Sequence, residues 1–152
     1  MTYDELIDET TSMGLVVKEK PLIGYNGRIM GHKIAIRKDI PTIKGKACIL
    51  AEEIGHHLTN CGDILDQGIT ENRKQELKAR LWAYDKQIGL SGIINAYNAG
   101  CHNLFEMAEY LEVTEDFLGQ ALEAYRRKYG EYAAIDNFII YFEPVLGVMK
   151  LL

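Results

Sequence analysis

A chain of 152 residues with 47% hydrophobic and 26% charged residues has the composition of a globular domain, which excludes a disordered chain. Its apolar stretches are far shorter than the roughly 20 residues that cross a bilayer, and its acidic N-terminus lacks the basic-then-apolar layout of a signal peptide. A net charge of −5 argues against a protein that binds the nucleic-acid backbone broadly.

The first forty residues predict a helix followed by a small sheet. Leu6, Ile7 and Met13 recur at roughly helical spacing, and Gly14 suits a helix end. Three short β-like segments follow at 15–17, 28–30 and 33–36, with the turn-prone residues 25–27 and Gly31 between them. We expect these segments to pair as a small antiparallel sheet.

The rest of the chain predicts a helical body that ends in strands. Threonine caps and glycine stops favour helices at about 42–60, 70–88, 93–98, 104–111 and 115–129, with Thr42, Thr70 and Thr114 as caps. Strand character returns at 137–142 and 147–151, on either side of Pro144. The expected fold class is α+β. Residues 1–90 form its core, and residues 91–152 form a helical tail that ends in a β-hairpin and packs on that core.

The cysteines indicate a reducing compartment. Cys48, Cys61 and Cys101 form an odd set without a Cys-x-x-Cys pair, so a disulfide framework or a thiolate zinc site is not expected. Reduced thiols and the absence of a membrane or signal segment favour a cytoplasmic protein.

The helix expected from Thr42 has two distinct faces. At 100° per residue, Glu52 and His56 lie one turn apart on the face opposite to the apolar stripe. That stripe, the predicted core face, consists of Ile43, Ala47, Leu50, Ile54 and Leu58. The helix would therefore have a core on one side and a cleft on the other.

Glu52-Glu53-x-x-His56 is similar in spacing to the zinc-peptidase motif His-Glu-x-x-His. Two side chains at i and i+4 can hold one metal ion, and a carboxylate is an accepted zinc ligand at the first position. Glu53 could then act as a general base toward a water that attacks a peptide carbonyl. By itself the pattern is weak, because Glu and His on a helix surface are usually solvated and a plain Glu52–His56 pair explains it better.

A second element strengthens the pattern. The segment from Cys48 to Thr59, together with Glu76-x-x-Ala79-x-x-Trp82-Ala83, resembles the ImmA/IrrE family of metallo-endopeptidases from phages, mobile elements and bacteria. The resemblance implies a zincin-like core in which Zn²⁺ is held by Glu52, His56 and Glu76, with Glu53 as the catalytic base. It also implies a cytosolic protein substrate, a helix-turn-helix repressor of a phage or mobile element.

Other interpretations stay open from the sequence. A Glu76–Arg80 surface salt bridge would account for Glu76 without a metal. The protein could also be an anti-repressor that binds the repressor without cleaving it. A DNA-binding regulator is a third hypothesis, because residues 104–118 resemble a helix-turn-helix, but Glu115 and Asp116 would repel phosphates at the start of its second helix. Tyr25 and Tyr84 are both candidates for stabilising an oxyanion.

Overall fold

A computed structural model describes residues 1–59 and 69–152, and these form an α+β protein that divides into two compact units, 1–86 and 87–152. None of the described helices has the length and apolar character needed to span a membrane. The first unit contains α1 (Tyr3–Ser12), β1 (Val16–Lys20), β2 (Gly27–Met30), β3 (Lys33–Arg37), α2 (Ile43–Thr59) and α3 (Ile69–Gln87), whose last residue belongs to the second unit. The second contains α4 (Gly89–Asn98), α5 (Leu104–Leu111), α6 (Glu115–Tyr129), β4 (Tyr132–Ile135), β5 (Phe138–Tyr141) and β6 (Gly147–Lys150).

The sheet of the first unit is mixed, so the prediction of an antiparallel sheet was wrong for one of its two pairings. The strand order is β1-β3-β2, with β2 and β3 antiparallel and β1 parallel to β3. The chain reverses direction twice between β1 and β3, and β3 rather than β2 lies beside β1. Two strands separated by two reversals run in the same direction.

One face of this sheet packs on α1 and α2. Ile34 and Ile36 of β3 are completely buried, as are Leu6 of α1 and Leu50 and Ile54 of α2. Alternation along β3 explains why Ile34 and Ile36 share this face, since side chains two residues apart point to the same side. The core of the first unit therefore lies between the sheet and these two helices.

The middle of the predicted core stripe of α2 is confirmed and its ends are not. Ala47, Leu50 and Ile54 are buried, whereas Ile43 and Leu58 are 69% and 46% exposed. Both exposed residues lie in the terminal turns of the helix, beyond the elements that cover its middle. The expected Thr42 cap is present, since the Thr42 hydroxyl accepts a hydrogen bond from the Gly45 amide at 3.0 Å.

Helix α3 spans Ile69–Gln87, close to the predicted range of about 70–88. Ala79, Ala83 and Tyr84 of this helix are buried, whereas Leu77 is half exposed. The predicted end of the preceding helix at Asn60, the stop at Gly62 and the thiol of Cys61 lie outside the described residues.

The second unit keeps most of the predicted elements. The bounds of α5 and α6 match the prediction, and the amide of Phe117 donates to the Thr114 hydroxyl at 3.1 Å, as expected for a cap. Helix α4 begins at Gly89 rather than near Ile93. The predicted terminal hairpin is confirmed as β5–β6, but a strand that was not predicted, β4, extends it to an antiparallel three-stranded sheet.

Candidate metal centre

Helices α2 and α3 approach each other at one glycine. A Cβ atom on Gly55 would lie 2.3 Å from the carbonyl oxygen of Ala79, far inside van der Waals contact. Ala79 and Ala83 of α3, both with small side chains, are completely buried. Gly55 therefore sets how closely the helix that carries His56 can approach the helix that carries Glu76.

The close approach brings two of the three predicted metal ligands into contact. The Nε2 atom of His56 lies 3.2 Å from Oε2 of Glu76. The other carboxylate oxygen of Glu76, Oε1, accepts a hydrogen bond from Nε of Arg80 at 3.0 Å. The structure therefore contains the contacts expected from both interpretations of Glu76. Its carboxylate forms the surface salt bridge with Arg80, and it also faces the imidazole that would share a metal with it.

The remaining two glutamates, Glu52 and Glu53, are half-buried, and their charges interact with that of Glu76. Burial raises the pKa of the Glu53 carboxyl to about 7, and the negative charges of Glu52 and Glu76 add to the shift. Burial also raises the pKa of Glu52, with the Glu76 charge acting in the same direction and the Arg80 charge opposing it. Glu52, Glu53 and Glu76 thus form one electrostatically coupled cluster.

Strand β2 confines the side chain of Glu53. A Cβ atom on Gly27 would lie 2.9 Å from Cγ of Glu53 and 2.8 Å from Cγ2 of Ile49. Only a glycine at this position lets the strand pass over α2 while Glu53 keeps its place. In the sequence, Gly27 ends the turn-prone residues 25–27, a pattern that predicts a turn and does not reveal this contact.

Of the two candidate tyrosines, the structure brings Tyr84 to the cluster. Tyr84 is buried on α3, and its pKa is raised by burial and by the negative charge of Glu52. Tyr25 is 55% exposed, with the guanidinium of Arg28 5.6 Å from its ring centroid. Tyr84 is therefore the tyrosine whose environment depends on the glutamates.

The donor set suits a divalent cation. Two carboxylates and one imidazole are ligands that zinc accepts, and carboxylate-rich sets also suit manganese. Within residues 1–59 and 69–152, no three His, Cys, Asp or Glu side chains are already drawn together closely enough to hold an ion.

Comparison with known proteins does not add to these observations, since no protein-family model and no curated protein matches the chain. The resemblance to the ImmA/IrrE family therefore stays a prediction that rests on the quoted residues.

Proposed function

We propose that the protein is a cytoplasmic zinc-dependent endopeptidase of the zincin type, with its site between α2 and α3. The observation that carries the proposal is the 3.2 Å contact between His56 and Glu76, two residues that are distant in sequence and were predicted to share a metal. Glu52, Glu53 and Tyr84 support it because their pKa values are raised by the same local charges and by burial. Clusters of perturbed pKa values are typical of functional sites.

The residues have separate roles in this proposal. Glu52, His56 and Glu76 would hold a divalent cation, which supplies Lewis-acid polarisation of the scissile carbonyl when bound. Glu53 accepts a proton from the attacking water as the new C–O bond forms. It then gives that proton to the amine nitrogen as the C–N bond breaks. A glutamate carboxylate that lies beside the attacking water can accept a proton and return it in this way.

The metal is tested first, by elemental analysis of the tag-free protein after zinc is added and the excess removed. We expect about one zinc per chain in the parent protein and loss of that zinc in His56→Ala. His57→Ala is the matched control, because His57 is the exposed neighbour on the same helix and should not affect zinc content. A parent protein that holds no zinc under these conditions would refute the metal site.

Activity is tested with the Glu53→Gln variant, incubated with helix-turn-helix repressors of phages and mobile elements. Removal of the proton-transferring group should lower the cleavage rate by about 10²–10⁴-fold while zinc content stays unchanged. Glu131→Gln, an exposed glutamate in the second unit, should cleave like the parent. Cleavage by Glu53→Gln at the parental rate would exclude the assigned base.

A second candidate function is an anti-repressor that binds the repressor without cleaving it. The contact between Glu76 Oε1 and Arg80 favours this alternative, because it holds the carboxylate in place without a metal. Mass spectrometry of the co-incubated repressor distinguishes the two functions. Intact repressor in a stable complex supports the anti-repressor, and fragments that appear only with active protein support the peptidase.

A DNA-binding regulator is the least supported function. Arg126 and Arg127, the basic residues at the end of α6, both pair with Glu123, and Arg126 also pairs with Glu143. The second unit contains four Lys and Arg residues against nine Asp and Glu residues, a net charge of −5. Binding to phosphates requires a surplus of cations, which this unit does not have.

A further inference from the structure

The face of the first sheet opposite to α1 and α2 has a different character from the core face. Register places Val16, Lys33 and Met30 side by side in one row across the strands, and Lys18, Ala35 and Arg28 in the next row. Apart from half-buried Ala35, these side chains are exposed. The face is therefore an array of basic and apolar side chains that none of the described helices of the first unit covers.

The face is shaped as a shallow groove. It encloses about 430 Å³, and apolar side chains from Val16, Leu22, Met30 and Ala35 line it together with four cations. Ala35 lies at its centre with Lys18 on one side and Arg28 on the other. Since neighbouring strands lie about 4.8 Å apart, the two cations flank a floor roughly 10 Å wide.

The charged residues that line the groove are all basic. Lys18, Lys20, Arg28 and Lys33 line it, and Glu19, the one acidic residue in the three strands, points to the opposite face. The Glu19 carboxylate accepts hydrogen bonds there from Tyr3 and Lys46. The one further cation in this array, Arg37, is paired with Asp39 at 2.7 Å. Four cations thus alternate with apolar side chains on this face, and none of the described residues that line it is acidic, although the protein as a whole is acidic.

We propose that this basic sheet face, defined by Val16, Lys18, Lys20, Arg28, Met30, Lys33 and Ala35, docks an amphipathic helix of a protein partner whose apolar stripe is flanked by carboxylates. A helix is about 10–12 Å across, which matches the floor between Lys18 and Arg28. Its apolar side chains would cover Val16 and Met30, which are 43% and 64% exposed. Its carboxylates would meet the lysines and Arg28, and such complementarity selects the partner.

The chemistry of the face favours an acidic protein over a nucleic acid. Single-stranded nucleic acids bind on faces that combine cations with aromatic side chains for stacking. The strands of this face carry no aromatic residue, and the neighbouring Tyr25 ring already has the Arg28 guanidinium over it. Valine, methionine and alanine instead match the aliphatic stripe of a helix. The inference does not depend on the metal site or on peptidase activity.

The test uses the full chain and a fluorescent alanine-based helical peptide of about 18 residues, with leucines in one stripe and glutamates on both sides of it. Binding is measured by anisotropy at low and at physiological salt. The same peptide with lysines in place of the glutamates is the control ligand. We expect the glutamate peptide to bind and the lysine peptide to bind at least about tenfold more weakly.

The double variant Lys18→Glu, Arg28→Glu should lower affinity for the glutamate peptide by about tenfold or more. The matched control is Arg73→Glu, Lys78→Glu, which reverses the same two residue types at exposed positions on α3 and should bind like the parent. Both variants replace exposed side chains, and unchanged thermal midpoints verify that they fold.

Three results would overturn the proposal. The first is failure of the glutamate peptide to bind, and the second is an equal loss of affinity in the control variant. The third is tighter binding of a random single-stranded or duplex oligonucleotide that the Lys18→Glu, Arg28→Glu variant abolishes, which would assign the face to nucleic acid instead.

Discussion

Glu53 shows how the environment of a single residue gives a common side chain an unusual property. A glutamate on a helix surface titrates near pH 4.5, but strand β2 covers this one, and two further carboxylates lie near it. The nearby charges make its ionised form unfavourable, and so does burial. A group of this kind is useful for proton transfer, and in the metal-free protein it lowers the stability of the fold at alkaline pH.

The stability of the metal-free protein should therefore fall as pH rises from about 5 to about 8. Because the folded pKa of Glu53 is raised, protonation favours the folded state, and this contribution is lost as pH passes through the folded pKa of about 7. The contribution amounts to at most about 3 kcal/mol. Urea unfolding at several pH values, with a chelator present, measures it.

Substitution of Glu53 by Gln should flatten this pH dependence and make the metal-free protein more stable at pH 8. Glu131→Gln serves as the control, since Glu131 is an exposed glutamate of the second unit. Parallel slopes in the parent and Glu53→Gln proteins would show that Glu53 titrates normally in the folded state.

At the scale of elements, the position of the metal-site residues depends on the packing of α2 against α3. Gly55→Ala places a Cβ atom 2.3 Å from a backbone oxygen, which no side-chain rotation relieves. We expect a loss of about 1–3 kcal/mol in unfolding free energy. We also expect weaker zinc binding, because the helices that carry His56 and Glu76 must move apart.

A glycine in another helix provides the matched control. Gly119 lies inside α6, and a Cβ atom there would meet nothing within 4 Å. Gly119→Ala should therefore stabilise the protein by about 0.5–1 kcal/mol through helix propensity. Thermal unfolding of both variants decides the matter, and a Gly55→Ala protein as stable as Gly119→Ala would contradict the proposed close packing.

The caps of the second unit offer a prediction about a single hydrogen bond. Thr114 accepts from the amide of Phe117 at the start of α6, so Thr114→Ala should cost about 1 kcal/mol of stability. Thr114→Ser keeps the hydroxyl and should cost much less. Equal losses in the two variants would mean that the methyl group, not the cap, contributes the stability.

The elements that the sequence predicted well are those with strong local signals. The caps of α6 and α2, Thr114 and Thr42, were predictable because the hydrogen bond from a helix amide to the cap hydroxyl spans only three residues. Strand β4 escaped prediction because Tyr132-Ala133-Ala134-Ile135 is short and alanine has low strand propensity. The start of α4 was misplaced because Gly89 usually indicates the end of a helix rather than its beginning.

Pairing and packing were harder to infer than the elements themselves. Nothing in the pattern of Val16–Lys20 specifies that β3, and not β2, is its neighbour, so the parallel pair was not predicted. For the candidate site, helical spacing suggested Glu52 and His56, whereas Glu76 came from resemblance. The roles of Gly55 and Gly27 depend on contacts between distant segments, which local patterns do not encode.

At the scale of the whole molecule, charge is distributed unequally between the two compact units. Residues 1–86 hold thirteen Lys and Arg and thirteen Asp and Glu residues, so the net charge of −5 belongs to residues 87–152. The candidate site and the basic sheet face therefore belong to an electrically neutral unit. The excess of negative charge therefore lies in the C-terminal unit alone.

Each unit also has its own buried core, so the C-terminal unit should fold when expressed separately. Val113, Leu118, Tyr125 and Ile140 are buried within it and come from α6, from the residue before Thr114 and from β5. A fragment of residues 87–152 should show helical circular dichroism and a cooperative thermal transition, although its small size makes it only marginally stable. A gradual thermal transition without cooperativity would show that this core cannot stabilise the fragment by itself.

The basic sheet face has a consequence for solubility. Strands β1 and β2 are the edges of the sheet, and each presents a row of backbone groups that another chain could pair with. Lys18, Lys20 and Arg28 place like charges along these edges, so two copies that approach edge to edge repel each other. Replacing these residues with apolar ones would therefore favour β-sheet aggregation. The cations thus oppose self-association of the protein whether or not a partner is bound.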